Sequence, residues 1–140
     1  MTKSVSPLTE ATLLASDPAE YMNEAQLAFF RRRLLDMKAQ LLRNATDTAE
    51  RLRELTNPSD PADRATLEEE HTLELLARER DRKLLAKVDA ALRRIEEGSY
   101  GYCEETGESI GIPRLLARPT ASLTINAQDR RERSQKSFAG

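Results

Sequence analysis

At 140 residues, with 39% hydrophobic and 33% charged residues, 4% aromatics and no Trp, the chain has the length of one domain and only a modest core, and a long helical shape suits it better than a thick globule. No apolar run approaches the roughly 20 residues of a membrane span, and the N-terminus has neither a basic n-region nor an apolar h-region, so a cytoplasmic protein is expected. A net charge of −2 argues against bulk attraction to DNA, and the single cysteine, Cys103, allows no internal disulfide.

Residues 1–22 are weakly patterned, with Leu8, Leu13 and Leu14 available to pack; they read as an N-terminal segment with one short helical turn, packed on a small head. From Tyr21 the pattern tightens. Leu27, Phe30, Leu34, Met37 and Leu41 alternate steps of three and four, the seam of a coiled coil, and predict a first helix over Asn23 to Leu55. Beyond Leu41 a strict heptad places Asn44, Thr48 and Arg51 at the seam, whereas a shifted one uses Ala45, Ala49 and Leu52, so a stutter or looser packing is expected there.

A turn follows at residues 57–65, Asn57-Pro58-Ser59-Asp60-Pro61-Ala62-Asp63-Arg64-Ala65. Asp60 stands where a helix N-cap belongs, Pro61 has the φ preferred at the first helical position, and Asp63 falls three residues after the cap, where a carboxylate suits the helix dipole. From Asn57 to Glu70 five acids face one base, net −4, while Arg31 to Leu55 carries seven bases and four acids. A rigid acidic point on a more basic shaft is built for insertion rather than for spacing. Each feature also has a plain explanation: Asp60 as a cap and Asp63 as a first-turn acid need no partner, and Glu68-Glu69-Glu70 reads as acidic surface.

The second helix is predicted over Pro61 to Glu97, with Gly98 as its C-cap residue. Folded back on the first it pairs Leu27 with Leu92, Phe30 with Val88, Leu34 with Leu84, Leu41 with Ala77 and Leu52 with Leu67. An antiparallel pair of about 33 residues is roughly 50 Å long. The alternating run Arg78-Glu79-Arg80-Asp81-Arg82-Lys83 has the pattern of a solvated face with i,i+4 pairs.

Residues 98–140 form the rest of the head. The glycine spacing from Gly98 to Gly111 resembles a zinc-knuckle hairpin, a tight turn followed by a short strand, and Asn126 to Ser137 reads as an amphipathic terminal helix with Asn126 as its cap. Arg130, Arg131 and Arg133 on that helix either touch an acidic rim or face water. The fold class is therefore mainly α: a long antiparallel two-helix coiled coil over 23–97 with a small head.

Three stretches together, EYMNEAQLAFFR at the start of helix one, DPADRA at the tip and YGYC…GESIGIPRLLARPTASL in the head, resemble the DksA branch of the DksA/TraR family of RNA polymerase regulators over residues 20–140. Zinc-bearing members carry C-x2-C-x17-C-x2-C, and the matching positions here are Cys103, Thr106, Thr124 and Ala127. Three of four ligands are gone, and the lone histidine, His71, lies near the tip. A structural zinc takes four thiolate or imidazole ligands, so a metal-free site is expected, with Tyr102, Ile110, Ile112, Leu115, Leu123 and Ile125 packing in its place and Cys103 a small buried thiol, a redox role or intermolecular zinc being its alternatives.

The resemblance implies a monomeric, non-enzymatic factor that pushes the tip down the polymerase secondary channel, shortens the life of open promoter complexes and potentiates the alarmone ppGpp in the stringent response. It places Asp60, Asp63 and Ala65 at the polymerase-facing tip, and Arg80, Leu84, Lys87 and Arg118 at ppGpp; a further basic position of the family is Gln128 here. A rival role is that of a transcript-cleavage factor whose tip carboxylates help hold a catalytic Mg2+. A DNA-binding zinc finger fits poorly with the missing ligands and acid balance, and a bare coiled-coil adaptor predicts that tip charge is immaterial.

Overall fold

The computed structural model describes residues 8–54 and 61–139, apart from the side chains at 61–63, 138 and 139. Among them the chain is helical, with α1 at Glu10–Leu14, a 3-10 turn at Pro18–Glu20, α2 at Glu24–Glu54, α3 at Pro61–Glu97, α4 at Ile112–Ala117 and α5 at Ile125–Ala139. Neither α2 nor the interior of α3 contains Gly or Pro, which explains why both run so far without a break. The mainly α class with a long antiparallel helix pair is the one read from the sequence. Two compact units divide the chain, Met1–Leu34 with Ala90–Gly140, and Leu35–Asp89.

In the unit Leu35–Asp89 the strict heptad survives past Leu41. Leu41 and Thr48 are buried, Asn44 and Leu52 half-buried, and Ala45 and Arg51 exposed, so the seam runs 41, 44, 48 and then steps by four to 52. The stutter falls at that last step. Two ion pairs across the helices, Lys38 Nζ to Asp89 at 2.9 Å and Arg51 Nη1 to Glu74 at 2.8 Å, set the register. They place Met37 against Val88, Leu41 against Leu84, Asn44 against Asp81 and Thr48 against Ala77. The pairing of Leu41 with Ala77 and Leu52 with Leu67 is thus corrected by one heptad: in it Asp89 would lie about 13 Å along the axis from the point facing Lys38, beyond reach of the two side chains. A heptad seam fits itself equally well after a shift of seven, and only the flanking charges distinguish the two.

In the other unit, α2 opens on Asn23, whose Oδ1 accepts from Gln26 N at 2.9 Å, while Gln26 Oε1 accepts from Met22 N at 2.9 Å. Gln26 is 1% exposed, and its Nε2 donates to Ser16 Oγ at 3.0 Å, so both the oxygen and the nitrogen of its buried amide have a partner. Leu13 of α1 is buried, whereas Leu14 is exposed; Glu10 pairs with Arg33 at 2.7 Å. Phe30, Leu34, Ala91, Tyr100 and Leu115 are buried as well, with the Phe30 and Tyr100 rings 5.7 Å apart. α3 ends as predicted at Gly98, φ 82°, with Ser99 N donating to Arg94 O at 2.9 Å.

The predicted hairpin is reduced to one antiparallel bridge, Tyr102 to Ser109. α5 starts one residue earlier than expected, and Thr124 rather than Asn126 caps it, its Oγ1 accepting from Ala127 N at 3.2 Å. A hydroxyl three residues before a free N–H is the geometry a cap requires, and Asn126 already lies inside the first turn.

Candidate functional site

Of the tip residues, Asp60 lies outside the described residues, and its capping role with it. Asp63 falls in the first turn of α3 and Ala65 is exposed one position past that turn. Arg80, Leu84 and Lys87 follow on the same helix at spacings of four and three, which puts them on one side of α3. Arg80 is 79% exposed and only 3.8 Å from Asp81, a weak partner. Lys87 is exposed and makes no ion pair among the described residues, while Leu84 is half-buried at the seam. Arg82 is engaged instead, its Nη2 and Nε donating to the two Glu79 carboxylate oxygens at 2.6 and 3.0 Å; that bond holds the Glu79 carboxyl below its ordinary range. The pairing in the alternating run is therefore i,i+3.

Arg118 belongs to the other unit. It caps the C-terminus of α4, its N–H donating to Arg114 O at 2.8 Å, and its side chain is exposed with no hydrogen bond or ion pair among the described residues. Gln128 lies on α5 and donates from Nε2 to Glu132 at 2.9 Å. Arg131 reaches back to Glu105 at 2.6 Å, so it clamps α5 to the turn after Cys103, whereas Arg130 is exposed.

The four positions that match zinc ligands do not fit a zinc ion. They offer one thiol, two hydroxyls and a methyl group, and they are occupied with one another: Thr124 Oγ1 donates to Cys103 Sγ at 3.9 Å, and Cys103 packs with Leu123 and Ala127, with Ile110 beside them. Cys103 is 3% exposed. Burial pushes its thiol up, but hydrogen bonds from the Thr106 side chain and from the backbone of Thr124, Thr106 and Glu105 outweigh it and bring it down to about 6.

Of the six side chains expected to pack here, Ile112, Leu115 and Leu123 are buried and Ile110 is partly so. Tyr102 and Ile125 are corrections, at 38% and 58% exposure. Tyr102 lies at the lone bridge, its ring edge-on to Tyr21 at 5.6 Å, and Ile125 sits on the outer side of the first α5 turn.

Sequence reading missed the residue that clasps this segment. The Tyr21 hydroxyl donates to Gly101 O at 2.6 Å and accepts from Gly111 N at 2.9 Å, tying both arms of the turn to the start of α2. Gly101 is required there: its φ is 89°, and a Cβ would meet Met22 Cγ and Sδ at 2.7 Å. The available signal was chemical, since a tyrosine at the edge of a core has to find a partner for its hydroxyl.

Comparison with known proteins gives two family matches that follow this layout: the DnaK suppressor protein DksA N-terminal domain over residues 26–95, and the prokaryotic dksA/traR C4-type zinc finger over 98–133. The chain is similar to proteins named RNA polymerase-binding transcription factor DksA. One, from Caulobacter vibrioides, is 50% identical over 86% of each chain; another, from Escherichia coli K12, is 48% identical over 86% of this chain and 81% of its own. The structure of transcription factor DksA2 from Pseudomonas aeruginosa superposes with a TM-score of 0.82 at 47% identity, covering 91% of this chain and 99% of that one. Helix pair, finger-like segment and terminal helix are thus matched together over most of the length, and the chain belongs to the DksA family.

Proposed function

We propose that this protein is a cytoplasmic, non-enzymatic regulator that binds RNA polymerase, carries Asp60, Asp63 and Ala65 into the secondary channel, and shortens the life of open promoter complexes in a manner potentiated by ppGpp. The observation that carries the reading is the continuity of α3: one unbroken helix, Pro61–Glu97, holds the acidic tip at its start and the Arg80, Leu84, Lys87 side further on. Helix continuity gives a rigid spacing between a part that acts and a part that binds, which a flexible linker would not. The exposed Lys87 and Arg118 side chains, without an ion-pair partner among the described residues, suit phosphate oxygens, whereas Gln128, already bonded to Glu132, supplies no charge. The finger-like segment works without zinc, its packed side chains and the Tyr21 clasp standing in for the metal.

The test is open-complex lifetime at a ribosomal RNA promoter with and without the protein and ppGpp; a lifetime unchanged by the protein would refute the reading. Lys87→Ala and Arg118→Ala are each expected to weaken the ppGpp-dependent part of the response about tenfold while sparing the part seen without ppGpp, because each removes a charge-assisted contact. Equal loss of both parts would point to general polymerase affinity instead.

A further inference from the structure

The short stretch that carries Arg118 is held along its backbone from one side. Arg118 N–H is used by Arg114 O at 2.8 Å and Arg118 O by Ala121 N at 3.0 Å. The next carbonyl, that of the buried Pro119, accepts from the Tyr100 hydroxyl at 2.8 Å, and the one after, Thr120 O, lies 3.4 Å from Arg94 Nη2. Tyr100 is 1% exposed with its ring against Phe30, and Arg94, 12% exposed, is 3.6 Å from Glu104, so neither anchor is free to wander. The result is an exposed guanidinium with no partner among the described residues, set on a backbone fixed on both sides of its Cα.

Such an arrangement is wasteful for a surface arginine that only faces water and useful for one that grips a ligand. Binding loses less conformational freedom when the backbone under the gripping side chain is already ordered. The volume of Tyr100 is explained by the core, where a phenylalanine would serve as well; its hydroxyl is explained only by Pro119 O.

We infer that Tyr100 is a positioning residue for Arg118: its buried hydroxyl, through the Pro119 carbonyl, presents the Arg118 guanidinium to a phosphate-bearing nucleotide. The assignment rests on the reading of Arg118 as a ppGpp contact. Arg94 supports the same stretch from the α3 side.

The test is a ppGpp titration of open-complex lifetime with Tyr100→Phe, Arg118→Ala and the double variant, alongside competition for polymerase and thermal melting of each protein. Tyr100→Phe keeps the ring and should raise the half-effective ppGpp concentration about three- to tenfold, the loss of one hydrogen bond, with the ppGpp-free effect and the competition unchanged. In the Arg118→Ala background the same change should add nothing, because the group it positions is gone. Additive losses in the double variant, or equal loss with and without ppGpp, would make Tyr100 a structural residue only. An unchanged titration for Tyr100→Phe beside a shifted one for Arg118→Ala would overturn the positioning role alone. No shift for Arg118→Ala would overturn the nucleotide reading itself.

Discussion

Asp63→Asn is expected to leave melting and competition for RNA polymerase near wild-type values while abolishing the shortening of open-complex lifetime. The swap preserves volume and shape. Asp63 lies in the first turn of α3, where a carboxylate is expected to gain about 0.3–1 kcal/mol from the helix dipole, so folding should barely register its loss. If the tip acts by placing negative charge near the polymerase active site, removal of that charge removes the effect, and binding carried by the rest of the chain survives. Open-complex decay measured with saturating variant decides the matter. A variant that binds and still shortens the lifetime normally would refute the tip mechanism and favour a passive coil.

How far the fold could be read from the sequence depends on which interactions set each part. The ends of α3 were legible because they rest on local chemistry: Pro61 at the first position and Gly98 past the last, its φ of 82° open to glycine at no cost. The register of the helix pair was not, because Lys38 with Asp89 and Arg51 with Glu74 choose between two seams that apolar spacing makes equivalent. The α5 cap is hard to read because Thr124 occupies a zinc-ligand position of the family and is at the same time the hydroxyl before the helix. Among candidate site residues, Lys87 and Arg118 are exposed and make no ion pair among the described residues. Tyr21 and Tyr100 were invisible as functional supports: their partners are backbone atoms 80 and 19 positions away in sequence, and spacing cannot report such contacts.

Tyr21→Phe is expected to be the costliest of the conservative changes, and it tests how a segment without a complete ligand set stays closed. The ring would remain against Tyr102, but Gly111 N–H would lose its partner and Gly101 O one of its two, keeping Ile110 N–H at 2.8 Å. One backbone N–H left unpaired in a half-buried site, with a second hydrogen bond lost, costs about 2–3 kcal/mol together, or roughly 6–12 °C in melting temperature for a chain of this size. Hydrogen exchange at Gly111 should rise with it.

The wild-type protein, by contrast, should contain no stoichiometric zinc and should keep its helical signal and melting curve in excess chelator, because the clasp and the packing of Cys103, Leu123 and Ala127 do not depend on a metal. Burial raises the Tyr21 hydroxyl above its ordinary value of 10.0. The folded chain therefore keeps a proton that the unfolded chain releases, and this contribution is complete below pH 10 and fades as the pH climbs through the higher folded value. Tyr21→Phe should accordingly flatten the alkaline loss of stability as well as lower the melting temperature at neutral pH. A wild-type melting curve that collapses in chelator, with about one zinc released per chain, would show instead that a metal closes the segment, and that Tyr21 is secondary to it.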